Sequence, residues 1–209
     1  SVAIKDWTGD GADDVICFWH RPQPGLKTDW QSLADVAVQL RDGRTGKVLR
    51  EVTPKAVTDR RRKDPVGANW VHQRLLIANF RGTPEPRDVV VKLGDTYVAM
   101  DERFNVLWTY RSEWVKYSQC PAYIPAVGDI DGDGRDEVAV LFGGTPGGVA
   151  CYSVSEDGAP TLIDGYAVTL GDDPVDLDAG DLNGDGLDDL LVVDGESATL
   201  TILVTEESG

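Results

Sequence analysis

The chain has 209 residues, 41% of them hydrophobic and 8% aromatic, which is enough to bury a core of ordinary domain size and too apolar for a disordered segment. Against 20 basic residues stand 36 acidic ones, and the formal charge of −16 excludes nucleic acid and anionic lipid as partners, since both require a cationic face. No apolar run reaches the roughly 18 residues of a membrane-spanning helix, and 23 glycines with 11 prolines predict short elements joined by tight turns, which favours β structure.

In chain order, the first patterned segment is Asp6-Trp7-Thr8-Gly9-Asp10-Gly11-Ala12-Asp13-Asp14, which runs into the apolar stretch Val15-Ile16-Cys17-Phe18. A second strand is predicted from Ala34 to Leu40, and "RDGRTGKVLREV" at 41–52 reads as a polar turn and a further strand. The next loop is a decayed copy of the first, Asn79-Phe80-Arg81-Gly82-Thr83-Pro84-Glu85-Pro86-Arg87-Asp88, one residue longer and again entering a strand at Val89-Val90-Val91. Strands at Tyr97 to Met100 and within "DERFNVLWTY" (101–110) follow. "DIDGDGRDE", Asp129 to Glu137, precedes the apolar Val138-Ala139-Val140, and "SEDGAPTLIDGY" at 155–166 supplies another turn and strand. The last copy, Asp181-Leu182-Asn183-Gly184-Asp185-Gly186-Leu187-Asp188-Asp189, enters Leu190-Leu191-Val192-Val193.

Loops that begin at 6, 79, 129 and 181 define a unit of about fifty residues, the first carrying an insertion of roughly twenty. Each unit reads as a meander of about four strands, the signature of a β-propeller blade, in which radial packing leaves only short edges exposed. Helical repeats are excluded because no 3.6-residue apolar periodicity extends over eleven or more positions. The expected fold is all-β: a single β-propeller-type domain over 1–209, with units of about 1–73, 74–122, 123–173 and 174–209. That amounts to three and a half to four blades of antiparallel sheet, a partial ring or one completed by a partner chain.

The loop chemistry points to calcium. Positions 1, 3 and 5 of the third loop aim the oxygens of Asp129, Asp131 and Asp133 at one centre, while glycines at positions 4 and 6 permit a sharp turn with positive φ. Position 7, Arg135, offers a backbone carbonyl, and Glu137 at position 9 closes the shell. Several oxygen ligands without His or Cys suit Ca²⁺ better than the stricter octahedron of Mg²⁺. The same scheme assigns Asp181, Asn183, Asp185, Leu187 and Asp189 to the fourth loop and Asp6, Thr8, Asp10, Ala12 and Asp14 to the first. Ligand charge ranks the loops third, fourth, first. Three structural Ca²⁺ ions would move the formal charge from −16 to about −10. The competing reading is that these are Asp-Gly turns between strands; three copies with acids at positions 1, 5 and 9 favour the metal. An EF-hand is excluded, since no Glu stands at position 12 and no helices flank the loop. In the decayed loop Arg81 occupies the place of the second ligand, and its guanidinium is expected to replace the cation by pairing with Asp88.

These residues resemble the FG-GAP or VCBS type of repeat, whose pattern "DhDGDGxDEhhh" is met at Asp129 to Val140 and Asp181 to Val192. Such repeats build calcium-binding propellers in integrin alpha chains, bacterial adhesins and secreted polysaccharide-active proteins. The stretch "ANFRGTPEPRDVVVKLGDTYVAMDERFNVLWTYRSEW", with "CPAYIPAVGDIDGDGRDEV" after it, is further similar to the propellers of secreted bacterial rhamnogalacturonan-lyase-like proteins. The resemblance implies a secreted or cell-surface protein that acts on or holds acidic plant polysaccharide, with calcium in a structural role. Those propellers have more blades than this chain.

Signals for catalysis are thin. His20 and His72 are the only histidines, and no Ser-His-Asp spacing or phosphate loop is present. A polyuronate lyase needs a cation beside the sugar carboxylate and a base for the α-proton. Arg60, Arg61, Arg62, Lys63, Lys116 and Tyr117 offer those groups, yet "DRRRKD" at 59–64 reads better as a solvated loop. Trp108 and Trp19 read as structural, whereas Trp30, Trp70 and Trp114 lie in less patterned segments and are the better candidates for stacking on sugars. Cys17, Cys120 and Cys151 allow one disulfide and a thiol or three thiols, and the lack of CxxC pairing argues against zinc. The expected function is an extracellular, calcium-stabilised module for recognition of, or adhesion to, a polysaccharide or protein ligand. Alternatives are a polysaccharide lyase of rhamnogalacturonan type or a fragment of one, and a structural subunit of an extracellular assembly formed as a homo-oligomer or by strand exchange with a neighbour.

Overall fold

Strand sequences such as Val89-Val90-Val91 and Val138-Ala139-Val140-Leu141 are apolar at every position, and a strand of that kind is stable only when both of its faces are covered. The computed structural model meets this demand by stacking sheets. It describes residues 2–22, 33–54, 74–93, 96–111, 125–142, 147–154, 161–170, 174–195 and 197–206.

Among these residues fifteen strands form four antiparallel sheets, each a meander in sequence order. The first sheet contains β1 (Val2–Lys5), β2 (Asp14–Pro22), β3 (Leu33–Arg41) and β4 (Val48–Val52). The second contains β5 (Arg74–Ala78), β6 (Asp88–Leu93), β7 (Thr96–Met100) and β8 (Val106–Arg111). The third contains β9 (Pro125–Gly128), β10 (Glu137–Phe142), β11 (Gly148–Ser153) and β12 (Thr161–Thr169), and the fourth β13 (Pro174–Gly180), β14 (Asp189–Asp194) and β15 (Thr199–Leu203). The all-β, blade-like architecture is therefore as expected. The sequence reading placed the strands that follow each acidic loop; the fold adds a short strand before it, so that the loop is the connection between the first two strands of every sheet.

The two-residue strand period distributes side chains between neighbouring layers. Val89, Val91, Val98 and Met100 face the first sheet and pack on Trp7, Ile16, Phe18, Val38 and Leu40. Val90, Tyr97, Ala99 and Trp108 face the third sheet, where they meet Val138, Val140, Ala150 and Tyr152. Ala139, Leu141, Val149 and Cys151 turn to the fourth sheet and pack on Leu177, Leu190 and Val192. Phe80 stands edge-on to Trp108, with ring centroids 5.3 Å apart. Trp108 is thus structural, as its alternation suggested, and Trp7 is buried too, with its Nε1–H donating to the Glu102 carbonyl.

Successive sheets touch through their first strands, β1 on β5, β5 on β9 and β9 on β13, which makes these the inner strands of an arc. Arg74 at the start of β5 reaches past the third sheet to the Leu177 carbonyl (3.1 Å) and Asp176 (3.4 Å) on β13, which ties the inner edge of the arc together. Among the described residues the first and fourth sheets share no comparable packing, and their outer faces expose apolar side chains. Val2 and Ile4 are exposed on β1, and Val193, Leu200 and Ile202 on β14 and β15.

The asymmetry between covered and open faces gives a direct test. Leu141→Ala, in a side chain with no exposure, should lower the unfolding free energy by about 2–5 kcal/mol. Leu200→Ala makes the same deletion at a site 58% exposed and should cost under about 1 kcal/mol. Denaturant unfolding measures both, and equal losses would mean that the outer face of the fourth sheet is covered in solution.

Candidate metal centre

Each acidic loop folds around its first and last residues. In the third loop the Asp129 carboxylate accepts the N–H groups of Gly132 (2.9 Å) and Gly134 (3.0 Å), which coils the chain back over it. Gly132 and Gly134 adopt φ of 78° and 84°, a region L side chains rarely enter, so glycine at positions 4 and 6 is a conformational requirement. At the far end Glu137 is buried, and its Oε2 accepts the N–H groups of Ile130 (2.8 Å) and Asp131 (3.3 Å).

These bonds gather carboxylate oxygens. Asp129, Asp131 and Glu137 each present an oxygen, and the three oxygens lie within 4.8 Å of one another. Asp133 stays at the rim, where its Oδ1 accepts the Arg135 N–H at 2.8 Å. The donor set is all oxygen and carries three formal negative charges, which fits a hard divalent cation such as Ca²⁺. Burial pushes the Glu137 carboxyl up to about 8, with Asp131 and Asp133 adding repulsion and the N–H of Ile130 opposing it. Burial and the nearby Glu137 charge also push the Cys151 thiol up to about 12, so that it is an inert core residue. Cys17 and Cys151 are both free thiols; Cys120 lies outside the described residues.

The fourth and first loops repeat the fold with shorter reach. Asp181 accepts the N–H groups of Gly184 and Gly186, and Asp6 those of Gly9, Asp10 and Gly11. Desolvation of Asp6 is outweighed by these donors together with the Arg87 charge, which hold its carboxyl below the ordinary range. Asn183 and Asp185 accept the N–H groups of Asp185 and Leu187, and Asp10 that of Ala12. The closing residue here is Asp rather than Glu, and both of its oxygens are engaged. Asp189 accepts the N–H groups of Leu182 and Thr205, and Asp14 those of Trp7, Thr8 and Gly43. Thr8 enters through its backbone N–H. Arg44 also lies on the first loop, donating to the Asp10 carbonyl (3.1 Å) with its guanidinium 3.6 Å from the Asp10 carboxylate.

In the second loop a side chain supplies the positive charge. Arg81 Nε donates to Asp88 Oδ1 at 2.8 Å, and its Nη2 pairs with both Asp88 and Glu102. Burial pushes the Asp88 carboxyl above its ordinary range, and the guanidinium pulls the other way. This is the pairing expected from the sequence; Glu102, from the β7–β8 turn, is the partner that sequence reasoning missed, because nothing local links it to the loop.

Other candidates fall elsewhere. Trp30, Trp70, Trp114, His72, Arg60, Arg61, Arg62, Lys63, Lys116 and Tyr117 lie outside the described residues, as do the side chains of Trp19 and His20.

Repeated antiparallel sheets joined by acid-rich loops at their first turn define a class, the β-repeat proteins built from blade-like units. Residues 129–192 match the family model for the FG-GAP-like repeat, so the third and fourth loops and the strands between them are FG-GAP-like. No curated protein sequence matches the chain. Among solved structures, the Bacillus licheniformis rhamnogalacturonan lyase PL11 aligns with a TM-score of 0.56 at 18% identity, over 96% of this chain and 37% of the lyase. Rhamnogalacturonan lyase YesW aligns with a TM-score of 0.56 at 19% identity, over 96% of this chain and 37% of its own. The exotype lyase YesX gives 0.54 at 20%, over 97% and 36%. The chain thus shares their fold and spans about a third of their length.

Two outcomes follow from this geometry. Arg81→Ala leaves Asp88 fully buried without its cation and should cost roughly 3 kcal/mol or more in thermal or denaturant unfolding; an unchanged melting temperature would refute the ion-replacement role. For Glu137 the folded-state value lies above the ordinary 4.5, so between about pH 4.5 and 8 the folded protein keeps a proton that the unfolded chain has released. Stability of the metal-free protein should therefore fall as pH rises through that window, by at most about 1.4 kcal/mol per pH unit from this group. Melting in chelator at pH 5 and pH 8 reads the effect, and Glu137→Gln should flatten it.

Proposed function

We propose that the chain is an extracellular recognition or adhesion module of β-propeller type whose loops are tied by structural calcium. The observation that carries this reading is the convergence of Asp129, Asp131 and Glu137 oxygens within 4.8 Å in a loop closed by its own backbone. Without a cation these carboxylates repel one another and Glu137 is forced toward its neutral form. With one they become a clamp that joins β9 to β10, and binding free energy adds to folding free energy. The FG-GAP-like repeat over 129–192 supports calcium as the ion. By the same logic the fourth loop, through Asp181, Asn183, Asp185 and the Leu187 carbonyl, is a second site, and the first loop a weaker third, because Arg44 already neutralises Asp10. A rigid, acidic scaffold of this kind presents loops to a polysaccharide or protein ligand.

A second reading, activity of rhamnogalacturonan-lyase type, draws on the fold shared with the lyases PL11 and YesW across 96% of the chain. Since the likeness spans 37% of those lyases, such activity would belong to a larger assembly of the same architecture. The exposed apolar side chains on β1 and β15 support packing against further sheets, from a second copy or another partner.

Calorimetric titration with calcium, with melting followed in calcium and in chelator, tests the first reading. Two to three bound ions and a rise in melting temperature of several degrees are expected; no binding and no shift would reduce the loops to turns. Unsaturated, ultraviolet-absorbing products from pectic substrate would favour the lyase, and binding without turnover the recognition module.

A further inference from the structure

The acid at the eighth position of each nine-residue loop has no place in the ligand set, yet Asp136 and Asp188 are half-buried. Both reach backward to the preceding loop. Asp188 Oδ2 accepts the Asp129 N–H at 2.9 Å, and the Asp188 N–H donates to the Asp129 carbonyl at 2.9 Å. Asp136 repeats the pattern one repeat earlier: its Oδ2 accepts the Asn79 N–H at 2.7 Å, and its N–H donates to the Asn79 carbonyl at 3.1 Å. In each case the eighth residue of one loop grips both backbone groups of the first residue of the loop before. Between the first two loops the penultimate residue is Arg87 and the polarity is reversed, its Nη1 donating to the Trp7 carbonyl at 3.3 Å.

The grip has been given room. A methyl group on Gly128 would lie 2.5 Å from Asp188 Oδ2, so the residue before Asp129 must be glycine for the carboxylate to seat. What it seats on matters, because Asp129 supplies one of the three converging oxygens of the third loop. With its N–H and C=O both held by Asp188, the backbone from which that side chain springs is fixed from outside its own loop. The same two-bond pairing recurs in the same register on Asn79, in the loop where Arg81 supplies the positive charge, so the pairing belongs to the junction and bears on an ion only through Asp129, whose side chain faces the centre of the third loop.

We propose that Asp188 is a positioning residue for the neighbouring metal centre, so that the loop at 181–189 and the calcium site at 129–137 are energetically coupled. The inference rests on the calcium reading above. Partners that orient a metal ligand typically contribute 10–100-fold in affinity. Coupling is reciprocal, so an ion in the third loop also steadies the fourth.

The test uses the full chain in an Asp6→Asn, Asp181→Asn background, which silences the other loops and leaves one calcium titration to read. Asp188→Ala should weaken calcium binding about tenfold, while Asp188→Asn, whose amide oxygen still accepts, should keep most of it. A purely structural role would lower the melting temperature of Asp188→Ala without moving the affinity of the folded protein, and affinity within twofold of the parent would overturn the proposal. Amide hydrogen exchange in chelator supplies a readout that needs no ion: Asp129 should lose protection in Asp188→Ala, made in the otherwise unaltered chain, and Asn79 should not. If the parent binds no calcium, the calcium reading fails by itself. The grip is then upheld by loss of Asp129 protection and overturned by unchanged exchange.

Discussion

Each of the four acidic loops depends on one interaction, a buried carboxylate at the foot of a strand that takes hydrogen bonds from the start of its own loop. Asp14, Asp88, Glu137 and Asp189 are all at most 2% exposed. In three of the loops this residue accepts N–H groups from the second or third loop position, and in the remaining one the side chain of the third residue takes over. Charge buried this deeply must be compensated. Backbone donors satisfy the geometry but not the whole charge, and the repeats differ in how the remainder is met. Arg81 meets it with its guanidinium in the second loop. In the third, Glu137 is one methylene longer than the aspartates and reaches into the centre where Asp129 and Asp131 point, so an ion can be shared among them.

This constraint reaches into the sheets. The closing acid is the first residue of β2, β6, β10 and β14, the second strand of each sheet, so the loop's geometry sets where that strand begins and hence its register with the strand before. Register in turn decides which side chains face which neighbour, because a slip of one residue would exchange Val89 and Val91 with Val90, and Val138 and Val140 with Ala139 and Leu141. In sheets covered on both faces such a slip keeps apolar groups inside but mismatches their volumes, and close-packed interiors do not absorb that freely. The acidic loops therefore bear on the packing of the layers through strand register as well as through their own buried side chains, Trp7, Phe80 and Ile130.

Much of this was legible from residues alone because it is local. Asp and Gly at fixed offsets declare the turn, and the uninterrupted apolar runs after it declare strands with two covered faces. The strand before each loop was harder to find, since Pro125–Gly128 spans four residues with no pattern and Arg74–Ala78 only five. Contacts between loops could not be read at all. Asp136 and Asp188 look like any solvated acid, and their partners lie 57 and 59 residues away. The same holds for Glu102, which joins Arg81 from across a turn.

The decayed second loop shows what the repeat requires and what it does not. Thr83 and Pro84 replace the ligand and glycine of positions 5 and 6, and the loop gains a residue, yet Asn79 still collects the Thr83 N–H and hydroxyl much as Asp129 collects Gly132 and Gly134. Gly82 keeps its positive φ of 61°, and Asp88 keeps its burial. What has been lost is the cluster of carboxylates at the mouth, and what has been gained is a guanidinium aimed at the one carboxylate that remains buried. An arginine fits that role better than a lysine would, since its planar fork contacts Asp88 through two nitrogens and still reaches Glu102. A buried closing acid is thus the constant of the four acidic loops, and what surrounds it is the variable: backbone N–H groups at Asp14 and Asp189, a guanidinium at Asp88, and neighbouring carboxylates at Glu137.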